Sequence, residues 1–270
     1  EFHYDNTGAD TGEAIEIAGL AGTDLSVLRL VLYNGNNGAS YNTISLSGVL
    51  PNQQNGFGTF TLDLPSNGLQ NGAPDGIALV DATDNVLQFL SYEGTMDATN
   101  GPAVGMTSQD VGVSEPGSTP VGHSLQLSGT GSSYEDFVWV AAAINTFSQV
   151  NTEQNFVAPA PFINEIHYDN TGGDTGEAIE VAGVAGTDLS TFSLVLYNGN
   201  NGTAYDTVML SGVLTDQQSG FGTASFDISG IQNGAPDGIA LVDATNNVLQ
   251  FLSYEGTMDA TDGPAVGMTS

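Results

Sequence analysis

Short apolar runs, most of them alternating with polar residues, recur along this chain between clusters of Gly, Asn, Thr and Ser. They are Glu13–Ala18, Val27–Tyr33, Thr43–Ser47, Phe57–Leu64, Ile77–Asp81, Val86–Tyr92, His123–Leu127 and Asp136–Val140. Runs of this length, separated by turn residues about every eight to twelve positions, predict strands of an all-β sandwich or barrel. In Val27–Tyr33 the side chains of Leu28, Leu30 and Leu32 fall on one face, and those of Arg29, Val31 and Tyr33 on the other, because a strand alternates with period two. Ser193 stands in the place of Arg29 in a second copy of this run, so the position is expected to face water. Asn34–Gly38 fits a hairpin turn, since Asn and Gly tolerate positive φ. Phe137 and Trp139 alternate as a half-buried strand does and are expected in the core. Val140–Ile144 is the one run that reads as a helical turn.

The hydrophobic pattern is written twice. EFHYDNTGADTGEAIEIAGLAGTDLS (Glu1–Ser26) returns as EIHYDNTGGDTGEAIEVAGVAGTDLS (Glu165–Ser190). Gln70–Ser108 returns as Gln232–Ser270 with two exchanges, Asp84 to Asn246 and Asn100 to Asp262. Residues 109–164 occur once. The unit is therefore domain-sized rather than a solenoid repeat of about 20–50 residues. The expected domains are 1–157 and 162–270, with 158–161 as the linker. The whole run Thr152–Pro161 has a connector's composition, its prolines favouring extended backbone. The first copy holds only part of the strand that Phe162–Asp169 gives the second, and the second has no counterpart of His123–Leu127 or Asp136–Val140. Unpaired backbone amides and an open core are costly. The expectation is that these edges are completed by another chain or by a next repeat; the alternative is a covalent array in which each domain closes on itself.

Charge narrows the function. There are 31 acids against a single base, Arg29, for a net charge of -30, yet charged residues are only 12% of the chain, against roughly a quarter ordinarily. What is unusual is the missing base. Nucleic-acid phosphates are bound by Lys and Arg, so no nucleic-acid partner is expected, and anionic membranes are repelled. No apolar run reaches about 18 residues, so no membrane insertion is expected. Without lysine, side-chain Schiff-base chemistry and lysine–asparagine isopeptide links are excluded. Without cysteine, so are disulfides, thiol catalysis and Cys–zinc sites. A domain of about 150 residues can stand on its core alone. Such a surface suits divalent cations and a salty medium, which relieve repulsion among carboxylates.

The strongest chemical candidate is the loop Asp5–Glu13, with Asp5, Asn6, Asp10 and Glu13, repeated as Asp169, Asn170, Asp174 and Glu177. Hard oxygens in a Gly-rich loop suit Ca²⁺, although the spacing is not that of an EF-hand. The other reading is a turn in which Asp and Asn bind backbone amides. A second acidic set is Asp75, Asp81, Asp84, Glu93 and Asp97, where Asp75-Gly76 reads as a turn and Asp81–Asn85 as a hairpin loop. His3 and His167 lie on the first strand of each copy, beside carboxylates, and read either as transition-metal ligands or as strand residues satisfied locally. His123 has no evident partner, and Asn201-Gly202-Thr203 is a glycosylation sequon present in the second copy only.

Three runs of the second copy carry a family resemblance. They are FINEIHYDNTGGDTGEAIEVAG (Phe162–Gly183), GTDLSTFSLVLYNG (Gly186–Gly199) and GIALVDATNNVLQFLSYEG (Gly238–Gly256). With Gly12–Glu16, Gly22–Ser26 and Phe89–Gly94 of the first copy, they resemble the lamin tail domain family in its bacterial secreted branch. The resemblance covers most of both copies, including residues 109–157. It departs where the family has Gly-Trp after the DLS turn; here those residues are Val27-Leu28 and Thr191-Phe192. It implies tandem immunoglobulin-like β-sandwich domains without catalytic residues of their own, in an extracellular or cell-surface setting. The leading expectation is a non-catalytic structural repeat of a prokaryotic surface array or filament whose partners are other copies of itself. The alternatives are accessory domains of a secreted enzyme such as an extracellular nuclease, or a calcium-dependent adhesion module. A fold resemblance alone does not choose among them.

Overall fold

The computed structural model describes every residue from Glu1 to Ser270. The chain divides into two compact units, Glu1–Val157 and Ala158–Ser270. Its regular structure is all-β apart from three single 3₁₀ turns, and no helix is long and apolar enough to cross a membrane.

Unit 1 has eleven strands in chain order: β1 (Phe2–His3), β2 (Ala14–Leu20), β3 (Leu28–Asn34), β4 (Ala39–Ser45), β5 (Phe57–Asp63), β6 (Asp75–Asp81), β7 (Val86–Tyr92), β8 (Gln109–Asp110), β9 (His123–Gly131), β10 (Phe137–Ile144) and β11 (Gln154–Phe156). One sheet has the order β10-β9-β1-β2-β5, with β11 added parallel to β9; the other has the order β4-β3-β6-β7-β8. The sheets share one core. Phe2, Ile15 and Leu125 from the first meet Leu30, Leu32, Ile77 and Leu90 from the second, as in a β-sandwich.

The alternation in β3 holds, but both of its faces are covered. Leu30 and Leu32 point into the sandwich, while Val31 and Tyr33 are buried on the outer face beneath Met96, Ala98 and Ala103. Arg29 shares that outer face and is half-buried rather than fully exposed: its guanidinium donates to the Asp81 carbonyl at 2.7 Å and pairs with Asp84. The β3–β4 hairpin turns at Asn34–Ala39 with Gly38 at φ +71°. Gly35 in the same turn has no room for a side chain, since a Cβ would lie 1.7 Å from the Pro74 carbonyl oxygen.

Three local expectations are corrected. Val140–Ile144 is not helical; β10 runs through it, with Ala143 opposite Ser124 and Ile144 opposite His123 after a bulge. Ladder pairing with β9 overrides the helical preference of its alanines. Gln154–Phe156, inside the run that reads as a connector, is β11, because Phe156 packs on Phe57 and Phe137. Asp75-Gly76 is not a turn but the start of β6, where Gly76 leaves space for Met96 Sδ.

Unit 2 repeats seven of these strands: β12 (Phe162–His167), β13 (Ala178–Val184), β14 (Phe192–Asn198), β15 (Thr203–Met209), β16 (Phe221–Asp227), β17 (Asp237–Asp243) and β18 (Val248–Tyr254). They form a three-stranded sheet, β12-β13-β16, and a four-stranded sheet, β15-β14-β17-β18. Leu194 faces Leu241 across β14–β17 as Leu30 faces Leu79 across β3–β6, so the register is the same in both units. Ile179, Val181, Leu194, Leu196 and Ile239 make its core. β12 is an edge strand.

Candidate functional site

In the loop Asp5–Glu13, Asp10 and Glu13 turn their oxygens to the loop's own backbone and to the neighbouring loop. Asp10 accepts from the Asn6 amide at 3.2 Å and from Asn71 Nδ2 at 3.1 Å. Glu13 accepts from the amides of Gly68 and Leu69 at 2.8 and 3.0 Å. Burial pushes the Glu13 carboxyl up, against the pull of those two amides. Burial also raises Asp5, with the Asp10 charge and hydrogen bond adding to it. In unit 2, Asp174 accepts from the Asn170 amide and from Asn233, and Glu177 accepts from the Gly230 amide; Asp169 is exposed. The structure holds no group of three or more His, Asp or Glu side chains that could hold a metal ion.

The second acidic set does not converge either. Asp75 is buried and accepts from the amides of Gly35 and Gly72 at 2.9 and 2.8 Å, its carboxyl pushed up by burial. Asp81 caps its own hairpin through the side chain and amide of Asn85 and through Thr83, and these hydrogen bonds hold its carboxyl down at about 2. Asp84 pairs with Arg29, Glu93 accepts from the Tyr4 hydroxyl, and Asp97 accepts from Thr107. His123 Nδ1 is buried without a partner.

What the structure does bring together is a buried carboxylate hub centred on a residue that the sequence pattern did not single out. Glu115 is wholly buried. His3 Nδ1 lies 3.0 Å from both of its oxygens. The amides of Tyr4 and Asp5 donate to Oε2 at 2.8 and 3.2 Å. The Glu115 amide in turn donates to the Tyr4 hydroxyl at 2.7 Å, and that hydroxyl donates to Glu93. Tyr4 stacks on Tyr92 with ring centroids 4.1 Å apart. Three donors to one carboxylate meet the requirement that a buried charge be both paired and hydrogen-bonded. Glu115 sits in VGVSEPGST (Val111–Thr119), where Pro and Gly read as loop, and no periodicity marks a loop residue as buried.

His3 completes the hub. Burial acts to lower its pKa; the Glu115 hydrogen bond and charge, with smaller help from the Thr11 carbonyl and Glu13, outweigh that, and the net shift is upward. Asn6 Nδ2 lies 2.7 Å from His3 Nε2 and donates to the Thr11 carbonyl, while Asn6 Oδ1, though buried, has no partner. That arrangement suits a neutral ring with its proton on Nδ1. Protonating Nε2 calls for the Asn6 amide to turn its oxygen toward the ring, so the two charge states of His3 go with two orientations of one amide.

Unit 2 carries the receiving half of this hub without a glutamate in it. Tyr168 stacks on Tyr254 at 4.1 Å and donates to Glu255, as Tyr4 does with Tyr92 and Glu93. Asn170 Nδ2 lies 3.2 Å from His167 Nε2 and donates to the Thr175 carbonyl. His167 is exposed where His3 is buried, and the amides of Tyr168 and Asp169 donate to no side chain. The apolar neighbours open in parallel: Phe57, stacked on Phe156 at 4.8 Å, is 4% exposed, and its counterpart Phe221 is 42% exposed.

Unit 1 also has a partly open pocket of about 190 Å³, its lining including Ile17, Leu30, Leu79, Tyr134, Phe137 and Trp139. Trp139 packs edge-on against Phe2 at 5.1 Å and donates from Nε1 to the Tyr134 hydroxyl at 3.0 Å. Phe137 is buried and Trp139 partly so.

No family model matches the chain. No curated protein matches it either. Among solved structures it is similar to a DUF3823 family protein from Bacteroides ovatus, at 11% identity over 88% of this chain and 96% of that one, with a TM-score of 0.21. Likeness of that degree carries no argument about fold or function.

Proposed function

We propose that this protein is a non-catalytic structural repeat of a prokaryotic extracellular array or filament, built from immunoglobulin-like sandwich units of the lamin tail type. One observation carries the reading. The chain is two sandwich-forming units of nearly the same sequence, with the same strand register in both. Near-identical units strung along one chain repeat the same surfaces, and a head-to-tail contact between such surfaces propagates. The lysine-free, strongly acidic composition fits a module kept soluble and apart from nucleic acid by its charge. Electron microscopy of the native material tests the proposal. Fibres or sheets with a repeat of one or two units are the expected image; dispersed particles across a range of salt and protein concentration overturn it.

A further inference from the structure

We infer that Asn100-Gly101 is a site of spontaneous modification, at which Asn100, its side-chain carbonyl held by Ser40, loses its amide through a cyclic imide and emerges as aspartate or isoaspartate. The reaction needs only water and is independent of any array.

The chain has nine Asn-Gly pairs, and a glycine after asparagine leaves the main-chain nitrogen unhindered for attack on the side-chain carbonyl. In eight of them a hydrogen bond holds that nitrogen. Gly35 and Gly72 both donate to Asp75, at 2.9 and 2.8 Å, and Gly199 and Gly234 both donate to Asp237, at 2.8 and 2.7 Å. Gly56 donates to Asn52, Gly68 to Glu13, and Gly38 and Gly202 to the carbonyls of Asn34 and Asn198. The Gly101 amide alone donates to no group of the protein, and Asn100 and Gly101 are both exposed to water. The electrophile is also set. Asn100 Oδ1 accepts from the Ser40 amide at 2.7 Å and from the Ser40 hydroxyl at 3.1 Å. Two donors on that oxygen stabilise the negative charge it gains when the carbonyl carbon is attacked. They also turn Nδ2, the leaving nitrogen, away from Ser40.

The Gly101 nitrogen gives its proton to hydroxide and adds its electron pair to Asn100 Cγ. The new N–C bond closes the imide. The side-chain nitrogen leaves with the bonding pair, takes a proton from water and departs as ammonia. Water then opens the imide at either carbonyl. Breaking the bond to Cγ restores a normal main chain with aspartate at position 100. Unit 2 shows that this product fits: Asp262-Gly263 occupies the same place, and Asp262 accepts from the Ala204 amide at 2.7 Å. Breaking the bond to the main-chain carbonyl instead gives isoaspartate, which adds a methylene to the main chain. Position 100 is anchored on both sides, since Thr99 donates to the Gly38 carbonyl at 2.8 Å and Ala103 to the Tyr33 hydroxyl at 3.0 Å. A methylene added between those anchors loosens the cover that Met96, Ala98 and Ala103 lay over Val31 and Tyr33.

The test holds the full chain at mildly alkaline pH, where hydroxide drives the first step. Peptide mass spectrometry follows each Asn-Gly pair, and electron-transfer fragmentation tells isoaspartate from aspartate. Asn100 is expected to convert about tenfold or more faster than any of the other eight, whose glycine amides must first break a hydrogen bond. Ser40→Ala, which copies Ala204 of unit 2, should slow the conversion about fivefold, the rate equivalent of one neutral hydrogen bond lost from the transition state. Asp262→Asn makes a further pair, and the Gly263 amide is likewise free. That pair should convert faster than the eight held ones and slower than Asn100, for want of the hydroxyl. Protein enriched in isoaspartate should show a lowered unit 1 melting transition, while Asn100→Asp melts with the parent. Any one of three results overturns the inference: conversion at Asn100 no faster than at the exposed Asn71 and Asn233, a rate indifferent to Ser40→Ala, or isoaspartate-bearing protein that melts like the parent.

Discussion

Arg29 and Asp84 form an ion pair in unit 1, and unit 2 has neither partner. The guanidinium reaches from β3 to the β6–β7 hairpin, touching the Asp81 carbonyl and the Asp84 carboxylate. The corresponding positions are Ser193 and Asn246. Asp84/Asn246 is one of two exchanges between Gln70–Ser108 and Gln232–Ser270. The other, Asn100/Asp262, keeps a side-chain oxygen accepting from the amides of Ser40 and Ala204. Asp84 and Asn246 share the left-handed backbone, φ +68° and +65°, that Asp and Asn tolerate. The exchanges therefore spare what the backbone needs and remove a surface charge pair.

That pair contributes little stability. The Asp84 side chain is 74% exposed, and exposed pairs are worth about 0.2–1 kcal/mol. A double-mutant cycle of Arg29→Ser and Asp84→Asn should give a coupling of about 0.5 kcal/mol that shrinks with added salt. A coupling of several kcal/mol would show that the only base in the chain anchors β3 to the hairpin.

Calcium tests the Asp5–Glu13 loop directly. In the loop Asp10 accepts from Asn6 and Asn71, and Glu13 from Gly68 and Leu69, so an ion would have to share or displace these donors. A ligand that binds the native state at a hundredfold excess over Kd adds about 2.7 kcal/mol. With those oxygens committed, melting is expected to be the same in millimolar calcium and in chelator at matched ionic strength. A calcium-dependent rise, abolished by Asp10→Asn, would establish that the loop rearranges around the ion.

The strands were legible because period-two alternation is a local signal. Leu28, Leu30 and Leu32 face inward, and the Asn34–Gly38 turn lies where Asn and Gly permit positive φ. Burial of Val31 and Tyr33 was not legible, because their cover, Met96 to Ala103, is a loop that gives no periodic pattern. Val140–Ile144 misled for a related reason: alanine favours helix, and only long-range pairing with Ser124 and His123 makes the run a strand. The acidic loop could be located but not interpreted, since Asp and Glu look the same in sequence whether they face an ion or a backbone amide. Glu115 escaped notice because its partners, His3 and Tyr4, lie more than a hundred residues away.

Unit 1 should become less stable as pH rises from mildly acidic to neutral. A histidine whose folded pKa is raised, as at His3, contributes stability that is full below its unfolded value and lost as pH climbs through the folded one. Asp5, Glu13 and Asp75, raised chiefly by burial, act in the same sense: the folded state binds more protons, so stability falls as pH rises above the ordinary carboxylate range of about 4. Asp81, held at about 2, works oppositely, but only in strong acid. Calorimetry between about pH 5 and pH 8 should show the unit 1 transition moving down as pH rises. A transition that rises over this range refutes the assignment.

Glu115→Gln isolates the hub. The substitution keeps size and one accepting oxygen, but it removes the charge that His3 Nδ1 and two amides satisfy, and it points an amide N–H at another donor. Hydrogen bonds to a buried charge are worth about 1.5–3 kcal/mol, so unit 1 should lose about 2 kcal/mol. For a unit of this size that is a drop of about 4–8 °C in Tm. Unit 2 has no glutamate in its pocket and should melt unchanged, which makes it an internal control within the same chain. The pH dependence of the unit 1 transition should flatten as well, because His3 loses the partner that raises its pKa. A Glu115→Gln variant that melts like the parent with the same pH slope would mean that the apolar seal of Leu125, Trp139 and Phe156 holds the segment in place and the carboxylate is incidental.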